Sequence, residues 1–367
     1  MNTSSIIGIF IVSIILLFTN CSDDDNGEKE NILPTWLNRV DDLFSTLEAN
    51  NQGIGSIRIT KDGKSIFSKS TGYLNVENKI KSNSETKYRI GSISKTFTAV
   101  LFFKALEEQR ITLDQTLETY FPTIANAPKI RMSQLLSHES GIPNYTEDPL
   151  FFNSYILART KEEMTQIIEG YKPDFEPGSK IVYSNTNYLL ISYILEELYT
   201  KSYGDILKEK ITIPLQLDNT YLSESPKPKE DEAFSYFHDG GWVLKEEVDP
   251  SLLLGAGAIV STPSDVCKFI NALFSHKVIS ETSLSLMTTL KGADYMGMGI
   301  AGGPIHNGQA IIFGHSGTID MFRATFLYDP SDKVCITYCL NGIVDEGPDD
   351  NMNNYMLDKL LSIYEGN

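Results

Sequence analysis

Cysteine is scarce in this chain of 367 residues, where Cys21, Cys267, Cys335 and Cys339 are the full set. Cys335 and Cys339 fall four residues apart in a strand-like segment, about 13 Å at ~3.3 Å per residue, beyond the reach of a mutual disulfide. An odd number remains besides Cys21, so no disulfide framework is implied. Histidine is nearly as rare, at five. His138-Glu139 lacks the second histidine of a His-Glu-x-x-His zinc helix, and His238, His276 and His306 fall in polar stretches, so neither a metal nor a cofactor is expected. Basic residues are outnumbered, 31 against 48 acidic, for a formal charge of −17. Nucleic acid, which demands a basic surface, is thereby excluded as a partner. The acid is dispersed along the chain and reads as a soluble surface, and the length could hold two domains or one large one.

What is present concentrates at Arg89-Ile90-Gly91-Ser92-Ile93-Ser94-Lys95-Thr96-Phe97, which opens a strongly apolar segment running through Phe103. Residues at i and i+3 share a helix face, so the Lys95 amine is within reach of the Ser92 hydroxyl. Val100, Leu101, Phe102 and Phe103 are consecutive and would cover most of a helix circumference, the pattern of a helix buried on nearly all sides. Burial lowers a lysine pKa, and a neutral amine can take a proton from serine. The spacing alone is weak, because Ser84-Glu85-Thr86-Lys87 repeats it. That second copy sits in a polar, turn-like stretch. The competing role for Ser92 is a simple helix cap.

Two later segments add chemistry. Tyr183-Ser184-Asn185 follows a turn-rich approach and precedes the apolar run Tyr188 to Leu198, offering a phenol and an amide together. Gly314-His315-Ser316-Gly317 follows the apolar run Ala310 to Phe313 and reads as the end or edge of a strand. Small residues there allow a ligand to approach the backbone closely.

Taken in order, Ser92-x-x-Lys95, Tyr183-x-Asn185 and His315-Ser316-Gly317 make the chain resemble the serine β-lactamase and penicillin-binding protein superfamily, in its class C and esterase-like branch. Tyr73-Leu74-Asn75 also fits the middle element but precedes Ser92. The phrases Leu135-Leu136-Ser137-His138-Glu139-Ser140-Gly141-Ile142-Pro143 and Gly255-Ala256-Gly257-Ala258-Ile259-Val260-Ser261-Thr262-Pro263 are similar to the family as well. The resemblance implies acyl transfer, with Ser92 as nucleophile, Lys95 and Tyr183 handling its proton, and Asn185 positioning Lys95 and the substrate. It also implies an oxyanion hole from the amides of Ser92 and Thr318, with His315, Ser316 and Gly317 lining the substrate. His315 stands where many β-lactamases carry lysine. A mostly neutral histidine shifts the expectation from penicillins towards esters, amides or D-amino-acid peptides. Met321 occupies a position where relatives often have glycine, and is expected to narrow the acyl pocket.

Ile6 to Phe18 is an apolar run of signal-peptide length, too short for a span of ~20 residues. It ends at Leu17-Phe18-Thr19-Asn20-Cys21, which resembles a bacterial lipoprotein signal with Cys21 as the lipid attachment residue, although no Lys or Arg precedes the run. Ser22 to Gly27 then reads as an acidic tether. The expected location is the bacterial cell envelope, lipid-anchored, at the outer membrane, with small-molecule or peptide substrates as partners.

Coarse patterning gives a helix over Thr35 to Asn50, a hairpin from Gly53 to Gly72 turning at Asp62-Gly63, and a strong helix start at Thr262-Pro263-Ser264-Asp265. Strand patterns recur at Phe322 to Tyr328 and Lys333 to Leu340, and Tyr355 to Tyr364 reads as an amphipathic helix. Strands at both ends with helices between suggest one sheet built from both termini, and the resemblance implies the class α/β (α+β): a β-lactamase/transpeptidase-like sandwich with an antiparallel sheet and flanking helices. Residues 1–20 are assigned to the signal, 21–34 to the tether, 35–110 and 241–367 to the sandwich, and 111–240 to a mainly helical insert. Besides an ester, amide or peptide hydrolase, the sequence admits a penicillin-binding D-Ala-D-Ala carboxypeptidase, a weak class C β-lactamase, or a non-catalytic envelope binding lipoprotein.

Overall fold

The computed structural model describes residues 34–152, 154–344 and 352–366. Cys21 and the segments expected to be a signal and a tether lie outside them, apart from residue 34. Among the described residues no helix is long and apolar enough to cross a membrane.

Val334–Ile343, buried along its whole length, shows how the two ends of the chain meet. Side chains alternate faces along a strand, and both faces here are covered. Ile336, Tyr338 and Leu340 pack in a cluster with Phe44 and Leu360. On the opposite face the Cys267 thiol reaches the Thr337 hydroxyl at 3.3 Å, and Cys335 and Cys339 join the larger core. Cys267, Cys335 and Cys339 are buried free thiols. The elements that make these layers are α1 (Trp36–Ala49), β1 (Gly53–Lys61), β2 (Lys64–Thr71), α2 (Ser94–Glu107), α3 (Asn185–Tyr199), α4 (Pro263–Phe274), β3 (Ala301–Ile305), β4 (Ala310–Ile319), β5 (Phe322–Asp329), β6 (Val334–Ile343) and α5 (Met352–Glu365).

The sheet runs β3-β4-β5-β6-β1-β2, with every neighbouring pair antiparallel. The hairpin β1–β2 turns at Asp62-Gly63 as its sequence predicts, and the N-terminal hairpin joins the C-terminal strands through β1 and β6. Leu37, Val40, Phe44 and Leu47 fall on one face of α1 and are buried, which seats α1 beside α5 on that side of the sheet. On the other side α4 begins where expected. Its Thr262 cap accepts from the Asp265 amide at 3.1 Å, and Phe269 stacks on Phe97 of α2 with centroids 3.8 Å apart.

Three sequence expectations are corrected. His315-Ser316-Gly317 is not the end of a strand but lies within β4, which continues to Ile319, and only the edge half of that reading holds. β3 pairs with β4 only from Ala310 to Gly314, so the following residues, paired with β5 on one side, turn their other side towards Ser92. His238 is in a short strand, Tyr236–His238, and not in a loop. The helix starts at Ser94, and Ser92 precedes it in the 3-10 turn Gly91–Ile93. The helix cap is Ile93, without a side-chain bond, so capping α2 is not the role of Ser92.

Candidate active site

The turn that carries Ser92 is fixed from both sides. Upstream, Tyr88–Arg89 pairs with Ile259–Ser261, and the Ile90 amide donates to the Ile259 carbonyl at 3.0 Å. Downstream, α2 is almost wholly buried, as its consecutive apolar residues predict. Gly91 holds φ +50°, a conformation that favours glycine. A methyl group on Gly91 would stand 3.0 Å from the Thr318 amide nitrogen, and one on Gly317 would stand 2.9 Å from the Ser92 amide and 2.0 Å from the Ile90 carbonyl oxygen. Turn and strand therefore touch through two residues without side chains. The amides of Ser92 and Thr318 lie at that contact.

Lys95 is wholly buried. Its Nζ lies 3.0 Å from Ser92 Oγ, 2.7 Å from Asn185 Oδ1 and 2.6 Å from the Ala256 carbonyl oxygen. Burial holds its pKa well below the ordinary lysine range. A neutral amine has two N–H bonds and one lone pair. With Asn185 Oδ1 and Ala256 O as the two acceptors, the lone pair is left to face the Ser92 hydroxyl. The Ala256 carbonyl is itself held: Thr98 Oγ1 donates to the Gly255 carbonyl at 2.7 Å, and the Gly255 amide donates to Ser192 Oγ at 3.0 Å.

Asn185 is the first residue of α3. Its Nδ2 donates to Thr146 Oγ1 at 2.9 Å and its amide donates to Asn144 Oδ1 at 3.0 Å. Tyr183 sits just upstream, with Lys95 Nζ 4.9 Å from its ring centroid. Burial pushes the phenol pKa up, only partly offset by a hydrogen bond with Ser92. The phenol is therefore a proton donor near neutral pH and not a resident phenolate.

The sequence reading gave His138 no role. Its ring stacks on Tyr183 with centroids 4.4 Å apart. Nδ1 accepts from the Ser184 amide at 3.1 Å, which assigns the remaining proton to Nε2, a buried atom without a hydrogen-bond partner. Burial, then the proximity of Lys95, holds His138 well below the usual histidine pKa. The signal was present in the phrase Leu135 to Pro143, but its meaning is a contact across 45 residues of sequence that no local pattern reveals.

His315 is buried, and its ring lies 6.5 Å from that of Tyr183. Burial, reinforced by Lys95, lowers its pKa to about 4. Nδ1–H donates to the Ser316 carbonyl at 2.7 Å. Ser316 Oγ is engaged with Thr325 Oγ1 at 3.0 Å. A cavity of about 460 Å³ is lined by Ser92, Thr146, Asn185, Gly257, Thr318 and Asp320, among others. Met321 is not among its lining residues, and its amide donates to Ser235 Oγ at 3.0 Å. The residue that the β4–β5 turn gives to the cavity is Asp320, which corrects the expectation for Met321. Among the described residues no cluster of His, Cys, Asp and Glu is placed to hold a metal ion.

The chain is similar to known proteins over most of its length. The model of the family described as Beta-lactamase matches residues 40–361. Protein flp of Staphylococcus aureus (strain MW2) is 26% identical over 298 residues, 78% of this chain and 59% of flp, so the chain spans little more than half of that relative. The teichoic acid D-alanine hydrolase of Staphylococcus aureus is 28% identical over 278 residues, 71% of this chain and 67% of the hydrolase. Among solved structures, the D-amino acid amidase from Ochrobactrum anthropi SV3 complexed with D-phenylalanine superposes with a TM-score of 0.80 at 25% identity, covering 91% of this chain and 99% of the amidase. The octameric penicillin-binding protein homologue from Pyrococcus abyssi gives 0.77 at 26% identity, with 90% and 77% covered.

Proposed function

The chain belongs to the Beta-lactamase family, and from that premise we propose that it is a serine hydrolase acting through an acyl-enzyme at Ser92 on ester, amide or D-amino-acid peptide substrates. The observation that carries this reading is the 3.0 Å approach of the buried Lys95 amine to Ser92 Oγ, with both of its N–H bonds committed elsewhere. Lys95 takes the hydroxyl proton as Ser92 Oγ bonds to the substrate carbonyl carbon. The protonated Lys95 and the Tyr183 phenol then return a proton to the departing alcohol or amine as its bond breaks. The amides of Ser92 and Thr318 receive the carbonyl oxygen, and one such donor is typically worth about 3 to 4 kcal/mol. Water then attacks the acyl carbon, releases the acid and restores the serine.

His315 supports esters and amides over penicillins. With a pKa of about 4 it is neutral at pH 7 and supplies no fixed cation for a substrate carboxylate. The segment 111–240, proposed as a helical insert in the sandwich, contributes Asn144, Thr146, Tyr183 and Asn185. The sequence pattern up to Cys21 supports export to the cell envelope with a lipid at that cysteine. Detergent partitioning of wild-type protein and of Cys21→Ser tests this part.

Treatment with a fluorophosphonate, followed by peptide mapping, tests the nucleophile. Label on Ser92, lost together with ester hydrolysis in Ser92→Ala, is the expected result. Label elsewhere, or undiminished turnover in the folded variant, refutes it.

A further inference from the structure

The one acidic residue lining the cavity beside Ser92 is Asp320. It sits in the two-residue turn between β4 and β5, at φ +49°. Both of its carboxylate oxygens accept from a single neutral donor, the Val248 amide, at 3.3 and 3.2 Å. The nearby Arg323 Nη1 donates to the main-chain carbonyls of Asp320 and Phe322, at 3.1 and 2.9 Å. Arg89 is committed to Glu247, Ser223 and the Ser225 carbonyl. None of the ion pairs among the described residues includes Asp320. Arg89, Lys245 and Arg323 favour its charged form from a distance, but none of them bonds to the carboxylate directly, and a partly buried carboxylate whose one direct donor is a shared neutral amide gains further from a charged hydrogen-bond donor in the cavity.

We propose that Asp320 is a specificity residue that binds a cationic ammonium group on the acyl part of the substrate, so that the preferred substrates are α-aminoacyl esters or amides. This rests on the acyl-enzyme reading of Ser92. The spacing suits an α-ammonium. Thr318, whose amide faces the Ser92 turn, is two residues before Asp320, about 6.6 Å of strand. In an aminoacyl group the nitrogen is about 2.5 Å from the carbonyl carbon, and a charged N–H···O contact adds about 2.8 Å. These lengths put the α-nitrogen of a carbonyl held at the Ser92 and Thr318 amides within range of the carboxylate, in the cavity that all three residues line. Burial raises the Asp320 pKa to about 6, so the group is ionised at neutral pH and gains from a cation beside it. Lys245 also lines the cavity, with its Nζ 5.4 Å from the Tyr155 ring centroid. It is the residue that would favour an anionic acyl group instead.

The test compares three methyl esters at about pH 7, below the ~7.7–8 of an α-amino group: D-alanine methyl ester, methyl D-lactate and monomethyl succinate. Wild type should favour the alanine ester. Asp320→Asn, which keeps an acceptor for the Val248 amide and suits a left-handed backbone, should lower kcat/KM for that ester about 30-fold or more, mainly through KM. Methyl lactate, which has no ammonium to lose its partner, should lose clearly less than the alanine ester, so that the alanine-to-lactate ratio falls about 10-fold or more. Asp320→Glu, which keeps the charge, should retain part of the preference and guards against a folding defect in the asparagine variant. Equal losses on the alanine and lactate esters, or a wild-type preference for lactate or succinate, overturn the proposal. Fluorophosphonate labelling of Ser92 in the same samples separates the two readings. Intact labelling without discrimination by Asp320 removes only this inference, whereas absence of labelling in wild type removes the acyl-enzyme reading beneath it.

Discussion

Ser84-x-x-Lys87 and Ser92-x-x-Lys95 have the same spacing and lie eight residues apart, yet only one pair makes contact. Ser84 is exposed in a turn, with its hydroxyl 3.3 Å from Glu85 Oε1. The turn is held by the Asn83 side chain, which accepts from the Glu85 amide at 2.8 Å. No helix follows, so residues i and i+3 do not share a face. Lys87 is half-buried and pairs with the exposed carboxylate of Asp231, which supplies a counter-charge. Lys95 is wholly buried, bonds to Ser92, Asn185 and Ala256 with no carboxylate among them, and is driven towards the neutral form. The difference teaches that the motif is inert until a buried helix places the two residues on one face and withholds a counter-charge.

The largest expected effect separates the two lysines. Lys95→Ala should lower acylation at least ~100-fold, the low end for a general base, whereas Lys87→Ala should stay within about twofold because Lys87 is bonded to Asp231 and not to Ser92 or Lys95. Stopped-flow labelling with one fluorophosphonate reads both. Comparable losses in the two variants would erase the contrast.

A second effect concerns the scaffold behind Lys95. A methyl group on Gly255 would lie 2.4 Å from Thr98 Oγ1 and 2.5 Å from Ser192 Oγ, whereas one on Gly303 meets nothing within 4 Å. Gly255→Ala should cost about 1–3 kcal/mol of stability through overpacking and slow acylation by displacing the Ala256 carbonyl. Gly303→Ala should stay within about 0.5 kcal/mol. Urea titrations of both variants decide whether the buried carbonyl is as tightly held as the distances imply.

The smallest effect is electrostatic. A lysine whose folded pKa is depressed binds fewer protons than the same lysine in the unfolded chain, for which the value is ~10.4. Stability should therefore rise with pH between the folded and unfolded values, by up to about 1.4 kcal/mol per pH unit within that window. Below the window the burial penalty is complete, and above it the penalty is gone. Lys95→Met should remove this slope from the stability profile, and Lys87→Met should leave it in place.

Much of this arrangement is legible in the sequence because it is local. The periodic apolar face of α1, the Asp62-Gly63 turn and the Thr262 cap each announce their element within a few residues. The pairing of Ser92 with Lys95 is of the same kind. His138 was not legible, because its stack on Tyr183 depends on the docking of residues 138–146 against 183–187. The continuation of β4 through His315-Ser316-Gly317 was obscured by its small and polar residues, which pack against the Gly91 turn and β5 where apolar ones would ordinarily mark a strand. Met321 and Asp320 are adjacent in a tight turn. Which of them lines the cavity is set by backbone direction, and residue size carries no information about it.

The most direct test of the account is the pH dependence of Ser92 labelling by a neutral fluorophosphonate in the wild-type protein and in Lys95→Ala. A buried, neutral Lys95 predicts a rising limb well below the ordinary lysine value of 10.5, absent from the variant. A limb at the ordinary lysine value, or a profile that Lys95→Ala leaves unchanged, would contradict it.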